Sequence, residues 1–244
     1  MSSSLPNPFD LSDFVYAHRG LWQTGGPSEN SLDAFMAASD AGLGIEFDVR
    51  PSSDGVPIIF HDMDLQRMAS SEDFVEAHPA SNLVGRALQG GGLIPALTDL
   101  LDVWPADLPL LCELKVDGAT DPAAFAHRVG GLLLRHQGLC AAMSFSTQAV
   151  KALPDGVMRG QLVTPHQISE TAFEAALSNT DVSYFACHVS DAGRGELQTL
   201  RARHPIVAWT VIDPEQCAAL SELTDSQIFE GFNPTLAKRH ILNR

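Results

Sequence analysis

The sequence predicts an α/β fold, specifically a (β/α)8 TIM barrel with a short insertion after its second strand. Short β-like runs alternate with helix-like segments along all 244 residues, which is typical of a parallel sheet covered by helices. Eight strands, each followed by a helix, in about 250 residues is the format of that barrel. The alternative is a doubly wound open sheet, but no GxGxxG or GxxxxGK[ST] pattern follows any strand, so its nucleotide-binding versions lose support.

Nine runs have strand character, and one of them is set aside on geometric grounds. Only residues 50–56 separate the second run from the third, whereas a parallel neighbour needs a crossover of about a dozen residues. The connection contains Asp54-Gly55, a turn signal, so the third run is expected to return beside the second as a hairpin arm. The strand candidates are residues 14–18, 44–49, 57–61, 110–115, 141–145, 158–163, 183–188, 206–212 and 227–230.

Helix-like segments fill the gaps between these strands. Three have recognisable start signals, namely Asn30 before the first, Ser146 before the fourth, and Asp213 before the seventh, with Pro214 at its first helical position. The helix candidates are residues 31–41, 97–104, 123–137, 147–153, 170–178, 195–203, 214–222 and 234–241.

Residues 63–94 fit neither element type, being rich in Ser, Ala and Gly with a run of three glycines at 90–92. We expect a small insertion between the second strand and its helix. In a barrel, such an insertion lies over the C-terminal rim, where active sites are built. No internal repeat or linker indicates a second domain, so residues 1–244 are expected to form a single barrel domain.

Charge and composition argue against several classes of partner. Lys and Arg number 15 against 30 for Asp and Glu, a formal charge of −15. Such a surface repels phosphate backbones and anionic headgroups, so neither nucleic-acid binding nor stable membrane anchoring is expected. The first residues carry no signal-peptide pattern, and no window approaches the roughly 18 apolar residues of a membrane span. The scattered cysteines favour buried reduced thiols in a cytoplasmic protein over a metal or disulfide role; they are Cys112, Cys140, Cys187 and Cys217.

Carboxylates gather at the ends of the early strands. Glu46 and Asp48 are two residues apart, so they share one face of the second strand. Glu113 and Lys115 share a face at the end of a later apolar strand. The simple alternative for any Glu-x-Asp pair is one structural salt bridge and one solvent-facing carboxylate. Because the pattern recurs, a divalent cation held by Glu46, Asp48 and Glu113 is predicted, with Mg²⁺ or Ca²⁺ favoured by an all-oxygen ligand set.

Two histidines, His18 and His61, end separate β-like runs beside charged neighbours. A lone histidine at a strand end is more often a hydrogen-bonded structural residue. Two that converge on a carboxylate-rich rim would form a general acid and base pair, since imidazole titrates near neutral pH. His188 also ends a strand candidate and could line the pocket.

The order of several short motifs resembles the glycerophosphodiester phosphodiesterase family from about residue 14 to about residue 240. Each motif is weak alone, whereas nine in order make coincidence improbable. They are His18-Arg19-Gly20, Pro27-Ser28-Glu29-Asn30-Ser31, Ala34-Phe35-x-Ala37, Gly44-x-Glu46-x-Asp48-Val49, Asp54-Gly55 and His61-Asp62-x-x-Leu65-x-Arg67, followed by Glu113-Leu114-Lys115, Ser144-Phe145-Ser146 and Trp209-Thr210-Val211.

The resemblance implies a (β/α)8 barrel that uses a divalent metal, Mg²⁺ or Ca²⁺ with Mn²⁺ as a third choice, to hydrolyse glycerophosphodiesters to glycerol 3-phosphate and an alcohol. It implies a small-molecule substrate, leaves the oligomeric state open, and favours His18 as base and His61 as acid, although the two roles are interchangeable. The implied metal ligands are Glu46, Asp48 and Glu113; the implied substrate contacts are Arg19, Lys115 and Trp209, with Glu29 in support.

The chain departs from the family pattern at three places. Ser28 adds a residue to the usual Pro-Glu-Asn, Ile212 stands where a polar residue follows Trp-Thr-Val, and Glu230 lies in a segment that replaces the closing Thr-Asp-x-Pro. Glu230 either substitutes for the missing Asp or has a structural role. Three alternatives stay open: lysophospholipase D-like activity on lysolipids, a catalytically silent phosphoester-binding barrel, and a barrel enzyme such as an aldolase or isomerase.

Overall fold

The architecture was analysed in a computed structural model that describes residues 9–164, 170–179 and 181–242. Each strand candidate lies on an observed strand, with ends shifted by up to two residues. The strands are β1 (Tyr16–His18), β2 (Gly44–Pro51), β3 (Pro57–Ile59), β4 (Leu110–Leu114), β5 (Cys140–Ser144), β6 (Met158–Val163), β7 (Tyr184–His188), β8 (Ile206–Val211) and β9 (Ser226–Phe229).

Eight of these strands form a closed parallel barrel. They are hydrogen-bonded in the order β1-β2-β4-β5-β6-β7-β8-β9, and β9 pairs back onto β1. The TIM-barrel prediction is confirmed and the open doubly wound sheet is wrong. β3 pairs antiparallel with β2, from Val49 opposite Ile59 to Pro51 opposite Pro57, so the hairpin interpretation of residues 57–61 is confirmed as well.

Helices follow the barrel strands and cover the outside of the sheet. Ser146 and Asp213 cap helices as predicted, whereas Ser31, not Asn30, caps the first helix by accepting from Ala34 N. Asn30 takes a left-handed conformation (φ 58°) and turns toward the barrel. The helices are α1 (Leu32–Asp40), α2 (Gln66–Ala69), α3 (Ala80–Leu83), α4 (Leu97–Val103), α5 (Pro122–His136), α6 (Thr147–Ala152), α7 (Glu170–Leu177), α8 (Gly195–Arg201), α9 (Pro214–Leu220) and α10 (Pro234–Leu242).

Two apolar layers stabilise the barrel. The larger lies between the sheet and the helices and includes Ile45, Phe47 and Val49, the outward residues of β2. The smaller fills the barrel interior. Because side chains alternate along a strand, the residues of β2 between these outward positions point inward. The interior layer contains Tyr16, Leu111, Met143, Leu162, Tyr184, Ala186, Val207 and Ile228.

The segment 63–94 has a small core of its own. It contains the short helices α2 and α3 and a 3₁₀ turn at Val75–Ala77, and its buried residues pack with Ile58 and Phe60 of the β3 arm. The three glycines at 90–92 all have positive φ, a backbone conformation that side chains other than glycine rarely adopt. This turn contacts the β1–α1 loop, since Ser28 Oγ donates to Gln89 O at 2.6 Å.

The cysteines and the lengths of the helices bear on two of the expectations from the sequence. All four cysteines are buried and free, as predicted. Within residues 9–164, 170–179 and 181–242, every helix is too short or too polar to cross a membrane.

Candidate active site

Four of the predicted site residues, one histidine and three carboxylates, lie on three neighbouring strands of the barrel. His18 of β1 is the register partner of Glu46 on β2, and Asp48 of β2 is the register partner of Glu113 on β4. Because β1, β2 and β4 are adjacent in the closed barrel, these inward side chains meet at one end of it.

The site residues surround a cavity of about 230 Å³. Its apolar floor is continuous with the barrel interior, since Met143, Leu162 and Ile228 belong to both. Of the predicted site residues, Asp48 and Glu29 lie behind this lining and contact residues that form it. The polar lining consists of His18, Arg19, Glu46, His61, Glu113, Lys115 and Thr210, and the remaining wall is Phe145 and Trp209.

The three carboxylates form a buried cluster in which one oxygen of each lies within 4.8 Å of the others. Burial, together with repulsion from Asp48 and Glu113, raises the pKa of Glu46 well above its usual value. Burial also disfavours ionisation of Asp48, but Lys115 and Arg19 outweigh it and hold the pKa of Asp48 well below the usual range. The negative charge of Asp48 is therefore balanced by neighbouring cations, whereas that of Glu46 is not.

The donor set fits a divalent cation. Glu46 Oε2 is buried and has no hydrogen-bond partner among the residues that the structure describes, which is costly for a carboxylate unless a cation is near. The cluster has three carboxylates against the two cations Arg19 and Lys115, so its carboxyl groups outnumber its cations by one. Three oxygen ligands suit Mg²⁺ or Ca²⁺ better than a metal that prefers nitrogen or sulfur.

The two cations are held by the same carboxylates. Lys115 Nζ lies 2.7 Å from Glu113 Oε1 and 3.1 Å from Asp48 Oδ1, and Arg19 Nε lies 3.2 Å from Asp48 Oδ2. Burial favours the neutral forms of both side chains, but Asp48, the largest opposing charge, raises their pKa values above normal. Both therefore stay charged, as binding of a phosphate requires.

His18 lies between two carboxylates. Its Nδ1 is 2.6 Å from Glu230 Oε2, and its Nε2 is 3.8 Å from Glu46 Oε2. Burial opposes ionisation of Glu230, but the hydrogen bond with His18 outweighs it and lowers the pKa of Glu230. Glu230, which departs from the family pattern, is therefore placed to orient the imidazole of His18.

His61 has an equivalent partner. Its Nδ1 lies 2.7 Å from Asp62 Oδ1, and its backbone carbonyl accepts a hydrogen bond of 2.7 Å from Arg50 Nε. Burial lowers the pKa of His61, although Asp48 opposes this effect. The imidazole is therefore mostly neutral near neutral pH.

Trp209 forms one wall of the cavity. Its ring makes edge-to-face contacts with Phe145 at 6.0 Å and with His188 at 5.5 Å between centroids. Such contacts fix the plane of an aromatic ring. His188 thus supports this wall from behind, whereas Ile212 is 61% exposed.

Sequence reasoning missed three supporting residues. Asn30 Nδ2 donates to Asp48 Oδ2 at 2.9 Å, although its position suggested a helix cap. Asp62 and Arg67 belong to the motif His-Asp-x-x-Leu-x-Arg, but no role was assigned to them from the sequence. The spacing of that motif was the signal that could have identified them. Glu29, for which the resemblance implied a supporting role, contacts Arg19 and Arg67.

Fold and site together define a (β/α)8-barrel protein with a candidate divalent-metal site and two cations suited to an anion. Residues 18–134, just under half of the chain, match the model of the glycerophosphoryl diester phosphodiesterase family. A curated relative, the probable glycerophosphodiester phosphodiesterase 2 of Mycobacterium tuberculosis, is 35% identical over 107 residues, which are 43% of this chain. That match spans only 40% of the relative's own length. The matched part of the chain is therefore similar to the glycerophosphodiester phosphodiesterase family.

Solved structures share the fold over most of the chain. A phosphodiesterase of Oleispira antarctica in complex with the product sn-glycerol 3-phosphate has a TM-score of 0.77 at 23% identity, covering 95% of this chain and 97% of its own. A putative glycerophosphoryl diester phosphodiesterase of Silicibacter pomeroyi also has a TM-score of 0.77, at 20% identity, covering 98% and 96%. At such identities these similarities establish the fold alone.

Proposed function

We propose that the protein is a metal-dependent phosphodiesterase that hydrolyses glycerophosphodiesters to glycerol 3-phosphate and an alcohol. The observation that carries this proposal is the convergence of two histidines, three carboxylates and two cations on one cavity. Loss of a histidine or a ligand would be the usual mark of a silent barrel, and all of these residues are present.

The cations bind and polarise the substrate phosphate. A phosphodiester carries one negative charge that repels an attacking oxygen until it is neutralised. Arg19 and Lys115 line the cavity and stay charged, so they are suited to contact the phosphate oxygens. Preorganised cations in a site of this kind also stabilise the charge that grows in the transition state.

Glu46, Asp48 and Glu113 would hold the metal ion, with Mg²⁺ or Ca²⁺ favoured and Mn²⁺ a third choice. When bound, the ion supplies Lewis-acid neutralisation of the phosphate charge. The ligands themselves are fixed by neighbours, since Asn30 holds Asp48 through both its amide nitrogen and its carbonyl oxygen. Such outer partners orient the ligands of a metal site.

The histidines transfer the protons. One imidazole accepts a proton from the attacking group, either water or a substrate glycerol hydroxyl, and the other donates a proton to the departing alcohol as its P–O bond breaks. Attack by water gives glycerol 3-phosphate directly, whereas attack by the glycerol hydroxyl gives a cyclic phosphate that water must then open to glycerol 3-phosphate. Because burial lowers the pKa of His61, its neutral ring suits the accepting role. His18, hydrogen-bonded to Glu230, then takes the donating role. This exchanges the roles that the family resemblance favours.

The cavity favours small substrates. Its volume of about 230 Å³ is below the roughly 300–1,000 Å³ of pockets for drug-sized ligands, so a soluble glycerophosphodiester fits better than an acyl-bearing one. We also propose a cytoplasmic location, which the four free buried thiols support.

Release of glycerol 3-phosphate from a substrate panel tests the proposal. The purified protein is treated with EDTA, then restored with Mg²⁺, Ca²⁺ or Mn²⁺. The panel pairs the glycerophosphoryl group with choline, ethanolamine, glycerol, inositol and an acyl-bearing glycerol. Metal-restored release from the soluble members supports the proposal, and release from the acyl-bearing member alone would favour the lysophospholipase D alternative. No release from any member would favour a silent barrel.

A further inference from the structure

Arg67, in the inserted segment 63–94, joins two carboxylates that each hold a site residue. Its guanidinium contacts Glu29 through Nη1 to Oε2 at 2.8 Å and Nη2 to Oε1 at 2.7 Å. It contacts Asp62 through Nε to Oδ2 at 2.6 Å and Nη2 to Oδ1 at 3.0 Å. On their far sides, Glu29 Oε1 accepts from Arg19 Nη1 at 2.8 Å and Asp62 Oδ1 lies 2.7 Å from His61 Nδ1.

This geometry needs an arginine. A planar guanidinium presents its donors in a fixed fork that can engage two carboxylates at once, whereas a lysine ammonium is a single point. A single exposed ion pair contributes little to stability, and the Arg67 side chain is 47% exposed. The Glu29 side chain, however, is only 9% exposed, so the carboxylate end of this ion pair is largely shielded from water.

A second set of contacts ties the same two segments together. Ser28, the residue that lengthens the usual family motif, donates from Oγ to Gln89 O at 2.6 Å and from its backbone N–H to Gly91 O at 3.3 Å. The insertion therefore holds the loop that carries Glu29 from two directions, through Arg67 and through its glycine turn.

We propose that Arg67 is a positioning residue that fixes Arg19 and His61 relative to each other, so that the insertion completes the active site. The inference rests on the proposed function for the roles of Arg19 and His61, and it adds that the phosphate-binding group and a proton-transferring group are aligned as one unit. Arg67 itself contacts neither the phosphate nor the reacting atoms.

The test compares Arg67→Ala and Arg67→Lys with Arg86→Ala. Arg86 is a matched control, because it lies in the same insertion but its guanidinium donates to the insertion's own Ala69 carbonyl. Three readouts are measured: kcat and KM for glycerol 3-phosphate release, calorimetric affinity for inorganic phosphate with the metal present, and recovery of kcat when guanidinium chloride is added.

We expect Arg67→Ala to lower kcat by about 10- to 100-fold, the range for losing an outer partner of a site residue, and to weaken phosphate binding severalfold. Arg67→Lys should fall between it and the wild type. Added guanidinium should restore part of the activity of Arg67→Ala and none of that of Arg86→Ala, while the Tm values of the two alanine variants stay similar.

The outcomes separate this inference from the proposed function. If the wild type hydrolyses the diester and Arg67→Ala behaves like Arg86→Ala, the positioning role is wrong and the function stands. If the wild type hydrolyses nothing but binds phosphate with an affinity that depends on Arg67, the positioning role stands and the reaction is wrong. Absence of both hydrolysis and phosphate binding overturns both. Should Arg67→Ala fail to fold, Arg67→Lys and its kcat decide the question.

Discussion

At the scale of single residues, the two histidines share one arrangement. Nδ1 of His18 lies against Glu230 and Nδ1 of His61 lies against Asp62, at 2.6 and 2.7 Å. A carboxylate on one ring nitrogen fixes the tautomer and orientation of an imidazole, which leaves Nε2 of each ring for proton transfer. The difference between the rings lies in their surroundings, because burial lowers the pKa of His61.

The assignment of acid and base can be tested with the leaving group. Both His18→Ala and His61→Ala should lower kcat on an ordinary glycerophosphodiester by about 10²- to 10⁴-fold. A nitrophenyl leaving group needs no proton. On such a substrate the kcat of His18→Ala should be close to that of the wild type, whereas the kcat of His61→Ala should stay low. Recovery by His61→Ala instead would show that His61 is the acid, the role that the family resemblance favours.

The raised pKa of Glu46 predicts that metal binding and proton binding compete. Burial and the charges of Asp48 and Glu113 raise the pKa of Glu46, so its carboxyl group keeps its proton at pH values where a glutamate is usually ionised. A cation that binds Glu46 must therefore displace that proton. By linkage, Glu46 binds its proton more tightly in the metal-free native state than in the unfolded chain. The stability that this one group contributes is therefore fully present below its unfolded pKa and is lost as pH rises through its folded pKa.

Calorimetry in two buffers of different ionisation enthalpy checks this competition. We expect the binding heat to depend on the buffer, because protons are released, and the apparent metal affinity to rise with pH through the titration of Glu46. Glu46→Gln should bind the metal more weakly and release fewer protons. Equal heats in both buffers would contradict a protonated Glu46.

At the scale of elements, the turn from β1 to α1 is the most constrained part of the site. Arg19 and Gly20 both have positive φ, 57° and 86°, and Arg19 N donates to Glu46 O at 2.8 Å. A Cβ on Gly20 would lie 2.8 Å from the Ala34 carbonyl carbon, so α1 and the strand end can approach this closely only with glycine there.

Gly20→Ala should therefore cost about 1–3 kcal/mol in the free energy of unfolding, through steric overlap and an unfavourable φ. Gly131→Ala is the control, since its added Cβ would meet nothing within 4 Å in the middle of α5, and it should stabilise by about 0.5–1 kcal/mol. Urea unfolding of both variants measures the difference. A neutral Gly20→Ala would contradict the close packing of this turn.

The elements also show which parts of the structure the sequence could predict. Alternating and helical periodicity located every barrel strand and the helices that cover them, because these patterns are local. The hairpin arm at 57–61 followed from the short connection that precedes it and from the Asp54-Gly55 turn signal in that connection. The start of the first helix was predicted one residue early, because Asn30 and Ser31 are both good N-cap residues. Only the folded structure shows that Asn30 binds Asp48 instead, which leaves Ser31 as the cap. The insertion at 63–94 showed no periodicity, because its small core is built from short turns.

At the scale of the whole molecule, barrel closure creates contacts that no local pattern contains. His18 and Glu230 are 212 positions apart and meet because β9 pairs with β1. The strand-end placement of the carboxylates was enough to predict that Glu46, Asp48 and Glu113 lie together. Glu230, the carboxylate partner of His18, could be identified only from the closed barrel, and the contacts of Arg67 could be identified only from the folded insertion.

The overall charge also bears on how the site works. The chain carries a net charge of −15, yet Arg19 and Lys115 line the cavity and Arg50 and Arg67 stand directly behind it. Four of only 15 basic side chains thus lie at one end of the barrel. A local cluster of cations can capture an anion even where the rest of the surface repels it.

The most direct test of the central claim is metal-restored release of glycerol 3-phosphate by the wild type, Glu46→Gln and Glu215→Gln after EDTA treatment. Glu215 is an exposed residue of α9 and serves as the isosteric control. We predict that a divalent metal restores release in the wild type and in Glu215→Gln, and that Glu46→Gln stays at least tenfold lower at the same metal concentration. Full release by the EDTA-treated wild type without metal, or full recovery in Glu46→Gln, would contradict a hydrolytic site built on this carboxylate cluster.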